Sequence, residues 1–561
     1  MTKRLLSLLV LCACGSSQDA AAPIADAGAD APLDDGASDA ASDGGANGSD
    51  ASTQIDASAA ECAPFVATPG ATTKWASVGT SGRLAYATLP TGERLVDFSN
   101  AGYGGGGVAL PDVPAKQTVS PSGGDDAAAI QSAIDAVSRL PLVNGVRGAV
   151  VLAPGNFHVG AALTIAASGV VLRGSGSKAQ GTLVTVTGAP RTFLVVSGAG
   201  SWKPVGATAK ITDAYVPSGA RTFHVDDAAG LAVGASVLVD RPVTAAWVHF
   251  MGMDTLVRNG APETWLAVGS VIHADRVITG INGNAVTVDA PITDSFDARY
   301  TAATVSAYTF DGRITNVGVE GMHVVAPMQT VPIGQPTYDA IAMDAVTNGW
   351  IRDVVADEFT EGFGVGATAK WITIADATVT RTAPIDNSQG YPFHYSIDGQ
   401  ATLVLRSTSI GNDVFSYATK SRTPGPNAVF QFTARGTHTN VQPHERWATG
   451  LLLDAIDAPT SGIGLMNRGW DGTGHGWTIG FGVVWNSVAN NLLIQQPPGA
   501  QNWAIGTSGT VTTAAAPGST DPTPLPSGII DAHATPVAPK SLYLAQLCER
   551  LGRCALANIG Y

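Results

Sequence analysis

Charge is scarce in this 561-residue chain: Asp, Glu, Lys and Arg together make up 14% of it, and aromatic residues only 7%. Cysteine is rarer, with five in all. Lys and Arg are missing altogether from residues 15–61, which hold nine Asp and one Glu. No apolar run is long enough to span a bilayer, and no amphipathic stretch is long enough for a helix-built fold. The scattered basic residues form no patch suited to nucleic acid. The Cys spacing matches no zinc motif, the EF-hand loop pattern is absent, and Gly104–Gly107 is too uniform for a phosphate loop.

What is abundant is glycine, 66 residues of it, within a 45% hydrophobic composition. With Val, Ala and Thr this favours strands over helices, and the length permits one large domain or several ordinary ones. The formal charge of -14 is uneven. Setting aside residues 15–61 with Lys3 and Arg4 removes ten acids and two bases and leaves -6, so the body is nearly balanced.

Lys3 and Arg4 precede a short apolar stretch, Leu5–Leu11, which is the layout of an export leader. The segment Leu11-Cys12-Ala13-Cys14 resembles a bacterial lipobox, with Cys12 departing from the usual small residue. That resemblance implies cleavage before Cys14 and its lipidation; an ordinary secretion leader is the alternative. Residues 15–61, almost entirely Ala, Asp, Gly and Ser, cannot bury enough surface to fold and read as a solvated tether. The expected location is therefore exported, lipid-anchored to the bacterial outer membrane or cell surface. Contact with the membrane would be through the anchor only. Cys62, Cys548 and Cys554 remain, and an oxidising compartment permits a disulfide between any two.

Gly124-Asp125-Asp126 introduces apolar residues at helical spacing: Ala129, Ile130, Ala133, Ile134 and Val137. Then come Gly148-Ala-Val-Val-Leu-Ala-Pro-Gly-Asn-Phe-His158, Ala162-Leu-Thr-Ile165 and Val170-Val-Leu-Arg-Gly-Ser-Gly176, short β-rich runs closed by Gly turns. In order and spacing these pieces resemble the opening of the pectate-lyase superfamily. The resemblance implies an all-β, right-handed parallel β-helix with an N-terminal capping helix, over residues 110–510. Asn348–Val355 and Ala369–Asp376 look like successive rungs, aligned at their tryptophans with an offset of 21, and Ala401–Arg406 and Asn427–Phe432 follow at longer offsets.

Residues 202–310 differ, reading as hairpin strands with Asn/Gly turns, a β-rich insertion in the solenoid. Its Trp247, His249, Met251, Met253 and Trp265 make either a substrate-facing lip or a hydrophobic plug. Residues 62–109 are taken as an N-terminal linker and cap, and 511–561 as a C-terminal linker and cap.

Four His and five Trp fall within residues 386–503, where the chemistry is expected. β-Elimination on a uronic-acid polymer needs a base and a cation to neutralise the carboxylate. Lys420 and His444 are candidate bases, and Arg446 and Arg422 candidate clamps, since Arg grips a carboxylate with two parallel hydrogen bonds. The bland alternative is that His444, Glu445 and Arg446 form a local ion pair shaping a loop. His394 and His438 are weaker candidates. Hydrolysis would need two carboxyl groups, such as Asp413 with Asp398 or Asp471. Trp470, Asp471, His475 and Trp477 lie in a Gly-turned loop suited to sugar stacking or to packing a cap. The expected catalytic set is Lys420, His444 and Arg446. The expected substrate-binding set is Arg422, Asp413, Trp470, Asp471, His475 and Trp477. No metal ligand is assigned, and calcium is the one cofactor left open.

These residues lead to the expectation of a surface-anchored, monomeric protein acting on a polysaccharide. Lyase chemistry on an acidic glycan comes first, with a glycoside hydrolase and a non-catalytic glycan binder as the alternatives.

Overall fold

The computed structural model describes residues 62, 70–79, 83–332, 334–384, 392–412, 415–436 and 440–561. The leader with Cys14, the tether, Asp413 and His438 lie outside the described residues.

A right-handed parallel β-helix forms the body, with 29 strands in one parallel sheet wrapped around three faces. The first face runs from Ala115–Val119 through Gly148–Leu152 and Val170–Arg173 to Ile529–Asp531. The second begins at Gly155–Val159 and the third at Leu163–Ile165. Two strands, Ile314–Val325 and Val346–Asp357, pass through both the first and second faces without a break.

Alternation along each strand sends every second residue inward, and parallel register stacks those residues in columns. On the first face Val150, Leu172, Val319, Ile351, Ile374, Val404, Val429, Leu453, Val484 and Ala504 lie one above another. All ten belong to one continuous apolar core. Each coil alone would leave its column exposed, so the neighbours supply the stability.

The offset between the two tryptophan rungs is corrected from 21 to 23: Trp350 stands beside Thr373, not Trp371. Trp371 is the second residue of the strand Lys370–Ala375, with φ of 59°, and stands two residues before the partner of Trp350. Leaving out the coil that holds the capping helix and the one that holds the β-rich insertion, coil lengths on the first face vary from 20 residues (Val483 to Trp503) to 32 (Val317 to Gly349), because loops at the corners absorb insertions.

Ala127–Ser138 closes the N-terminal end, burying Ala127, Ile130, Ala133, Ile134 and Val137. The two acids before it divide the work. Asp125 accepts from the N–H of Ala127, the first helical residue, and of Gly160, fastening the helix start to the first coil. Asp126 accepts from Ser122 and His158.

Between the second and third coils lies the β-rich insertion, a six-stranded antiparallel sheet running from Lys203–Lys210 to Thr304–Thr309, with its own core. A buried polar seam joins it to the solenoid. Asp275 holds Lys370 and Arg313, each at 2.9 Å; burial opposes its ionisation, but the two cations bring its pKa down to about 2. Of the tryptophan and methionine cluster, Trp247, Met251, Met253 and Trp265 are buried. They are the plug, and only His249, ion-paired with Asp254, faces solvent.

The outward side of the first face is covered. Residues 75–79 and 83–101, the insertion and the helix Leu542–Leu551 pack over Leu403, Phe430, Leu452, Trp485 and Trp503 in a second apolar core. The C-terminal segment therefore lies along the flank of the solenoid: Ser541 bonds Asp454, and Trp485 donates to Pro539. A disulfide joins Cys62 to Cys548 across 486 residues, and Cys554 is free. Among the described residues, no helix is long and apolar enough to cross a membrane.

Candidate functional site

With the first face covered, the third presents an open groove of about 520 Å³. Its floor is made of small residues, Ala342, Gly364 and Ser396, on consecutive coils, and its edges carry the charged ones.

At one edge Asp339 pairs in register with Glu361, and the next two coils put Phe393 and Phe415 in the same column. Both rings stack, with centroids 4.7 Å apart and planes 8° from parallel. Glu361 turns back along its own strand: a Cβ at Gly364 would meet its Oε1 at 3.3 Å. Glycine there leaves room for the carboxylate to reach over the floor.

At the other edge each strand ends in a polar residue. Asp398 follows Ile397 and keeps the ladder by donating its N–H to Val365, and Lys420 does the same to Ile397. The ammonium of Lys420 returns across the groove and lies 3.6 Å from the centroid of Phe393, a cation–π contact. Burial pushes the Asp398 carboxyl up to about 7, against the pull of Lys420 and Thr423 and with help from Glu445 and Glu361. Burial and the neighbouring Glu361 raise Asp339 to about 6. The groove thus holds carboxyl groups poised between acid and base at neutral pH.

The expected residues divide. Lys420, Arg422 and Glu445 line the groove, with Arg422 exposed. His444 does not stand free: its ring is wedged edge-on against Phe393 (5.1 Å), Phe415 (4.9 Å) and His475 (4.5 Å). Burial, then Arg468, His475, Lys420 and Arg446, push its pKa far below the usual imidazole value. An imidazole whose basicity is so lowered by burial and that is caged by rings is a weak proton acceptor, so the expected base role does not fit its surroundings.

Arg446 is not a free clamp either. Its guanidinium donates to the Thr473 and Gly474 carbonyls and pairs with Glu445 at 3.1 Å. Glu445 and Arg446 thus pair as in the loop-shaping alternative, but without His444. His475 completes the cluster, its Nε2 3.5 Å from Glu445, with burial and nearby arginines pushing it down to about 3.

The two indoles of the Gly-turned loop part company. Trp477 is buried and donates to the Met251 carbonyl, so it packs the insertion onto the solenoid and offers no stacking face. Trp470 is 39% exposed, with one side against Gly518. Asp471 pairs loosely with Arg468 at 3.6 Å. His394 is buried against Ser409.

Sequence reasoning missed Asp339 and Glu361. A signal was present: Asp339-Ala-Ile-Ala-Met and Glu361-Gly-Phe-Gly-Val repeat acid–small–large–small–large one coil apart. Among the described residues, no group of three or more His, Cys, Asp or Glu side chains is arranged to hold a metal ion.

No family model matches the chain, and no curated protein matches it. Solved structures do. The tailspike gp49 from Pseudomonas phage LKA1 is 11% identical over 73% of this chain and 71% of its own, with a TM-score of 0.39. A tailspike of E. coli bacteriophage HK620, solved with a pentasaccharide, is 11% identical over 72% and 58%, with a TM-score of 0.37. The polygalacturonase from Erwinia carotovora ssp. carotovora is 12% identical over 72% and 95%, with a TM-score of 0.32.

Proposed function

We propose that this protein is a carbohydrate-active enzyme of the glycoside hydrolase type, taking a glycan chain along the third face. The observation that carries it is the set of carboxyl groups Asp339, Glu361 and Asp398 around one small-floored groove, two of them with raised pKa. Hydrolysis needs one carboxyl that holds its proton and one that has lost it. Asp398 suits the acid that protonates the leaving oxygen, and Glu361, reaching over Gly364, suits the carboxylate on the other side.

Charge argues for the substrate class. Five acids line or border the groove (Asp339, Asp344, Glu361, Asp398 and Glu445) against Lys420 and Arg422. A polyuronate would be repelled there, whereas a neutral or amino-sugar chain would not. β-Elimination on an acidic glycan is the less favoured chemistry, because His444 is caged and Arg446 is engaged. Lys420 and Arg422 are the groups on which it would have to rest.

Export fits this activity. The leader, the lipid on Cys14 and the tether would hold the solenoid outside the cell, where a glycan is met. The Cys62–Cys548 disulfide suits an oxidising compartment.

The test is an assay of the purified protein on neutral, amino-sugar and uronate polymers, following both new reducing ends and the ultraviolet absorbance of unsaturated products. Reducing ends without unsaturation, lost about 10²- to 10⁴-fold in Asp398→Asn, are expected. Unsaturated products from a uronate polymer would restore the lyase; binding without turnover would leave a glycan-binding protein.

A further inference from the structure

A second cavity, of about 280 Å³, lies outside the groove, at the seam where residues 89–93, the insertion and the late coils of the solenoid meet. Its size is close to the lower end for small-molecule sites, about 300 Å³.

Its base is fixed. Arg241 and Asp294, both buried, pair at 2.6 Å. The guanidinium lies over Trp247 at 4.2 Å and donates to the Ser295 carbonyl. The indole of Trp447 donates to Asp294 at 3.0 Å. These contacts leave the Arg241 Nε buried and without a partner among the described residues, an unusual cost in a packed seam.

Its wall is an aromatic pair. Phe250 and Tyr300 stack on each other with centroids 4.1 Å apart and planes 16° from parallel, the Arg299 guanidinium lies over Tyr300 at 5.3 Å, and both rings are only partly buried. Gln496, exposed, adds an amide at the rim.

Its charges cancel in pairs: Arg241 with Asp294, and Arg299 with Asp297 through three side-chain hydrogen bonds. The remaining acid, Glu93, is buried and accepts from Thr91 and Tyr215. Among the described residues that line the cavity, each cation is already paired with a carboxylate, Arg241 at the base and Arg299 at the exposed rim. An aromatic wall beside fixed hydrogen-bonding groups of no net positive charge suits an uncharged ligand with apolar patches and several hydroxyls.

We infer that the seam cavity is a second carbohydrate-binding site, taking one or two uncharged sugar rings against Phe250 and Tyr300. It does not depend on hydrolysis in the groove. Its position would let the protein hold a glycan while another stretch lies on the third face, because Trp447 lines the seam two residues after Glu445 lines the groove.

Calorimetric titration of the full-length protein with cellobiose, maltose, lactose and chitobiose, beside a digalacturonate control, tests this. Saturable binding of at least one neutral disaccharide, weakened tenfold or more by Tyr300→Ala and several-fold by Gln496→Ala, is expected. Asp398→Asn should leave that binding unchanged. Should Tyr300→Ala fail to fold, Gln496→Ala and Phe250→Leu carry the same test from the rim and the wall. Absence of saturable binding, binding that ignores the seam variants but is lost in Asp398→Asn, or equal affinity for digalacturonate would each overturn the proposal. Failure of the hydrolase assay would not, since binding is read without turnover.

Discussion

Asp339 and Glu361 stand opposite each other on adjacent coils of the third face, and this places two carboxylates at a backbone spacing of about 4.8 Å. Two like charges so close resist joint ionisation. Burial first, and then Glu361, raises the pKa of Asp339 to about 6. One coil beyond Glu361, Asp398 is held at about 7 with Lys420 opposing the rise.

A pH–rate profile follows from Asp398. If its proton is delivered to the leaving group, activity should fall about tenfold per pH unit above about pH 7. Lys420 stabilises the ionised form of Asp398, so Lys420→Met should move that alkaline limb to higher pH. A limb that stays in place in the variant would mean that Asp398 does not govern it.

Asp454 predicts a stability effect away from the groove. It is buried, and burial lifts its pKa to about 7 despite hydrogen bonds from Tyr543 and Ser541. Its other oxygen has no partner among the described residues. The folded state therefore binds this proton more tightly than the unfolded chain does. Its stabilising share is complete below about pH 4 and is lost as pH rises through about 7, at no more than about 1.4 kcal/mol per pH unit. Asp454→Asn stays neutral and can still accept from the helix N–H. Its melting temperature should fall less between pH 5 and pH 8 than that of the wild type, a range set by the raised pKa. Asp339 and Asp398 keep some slope in both proteins.

The fold was legible because strand alternation and coil repetition are local patterns: the helix at Ala127–Ser138, the Val150 and Leu172 rungs and the insertion all follow from short-range spacing. The site was less so. Asp398 and Lys420 are 22 residues apart in sequence yet one coil apart in space, and their chemistry depends on that juxtaposition. Aromatic and His-rich stretches drew attention to His444 and Trp477, which are rich in chemistry but used for packing. Asp339 and Glu361 sit in plain strands of alternating small and large apolar residues, where only the repeat of that pattern one coil apart marks them.

The Cys62–Cys548 bridge ties the N-terminal segment to the flanking helix that covers the first face. A cross-link closing so long a loop restricts the unfolded chain strongly, so Cys62→Ser should cost about 2–5 kcal/mol. Unfolding in urea should show that loss, while Cys554→Ser, which breaks no bridge, should match the wild type. Equal midpoints for Cys62→Ser and the wild type would mean that packing in the second core alone holds the segment.

The two indoles of one loop separate binding from stability. Trp477 lies buried against the insertion and its N–H is used by Met251, so Trp477→Ala leaves a cavity and an unpaired carbonyl and should cost about 3–5 kcal/mol. Trp470 keeps an exposed face, and Gly518 lets the chain pass beneath its ring: a Cβ there would come within 2.2 Å. Trp470→Ala should change the urea midpoint little but raise KM on any glycan that crosses the loop. Gly518→Ala should mimic it by displacing the ring, since the left-handed backbone at Gly518 (φ 80°) also disfavours a side chain. If Trp470→Ala leaves KM unchanged while Gly518→Ala raises it, the loop backbone and not the indole meets the substrate.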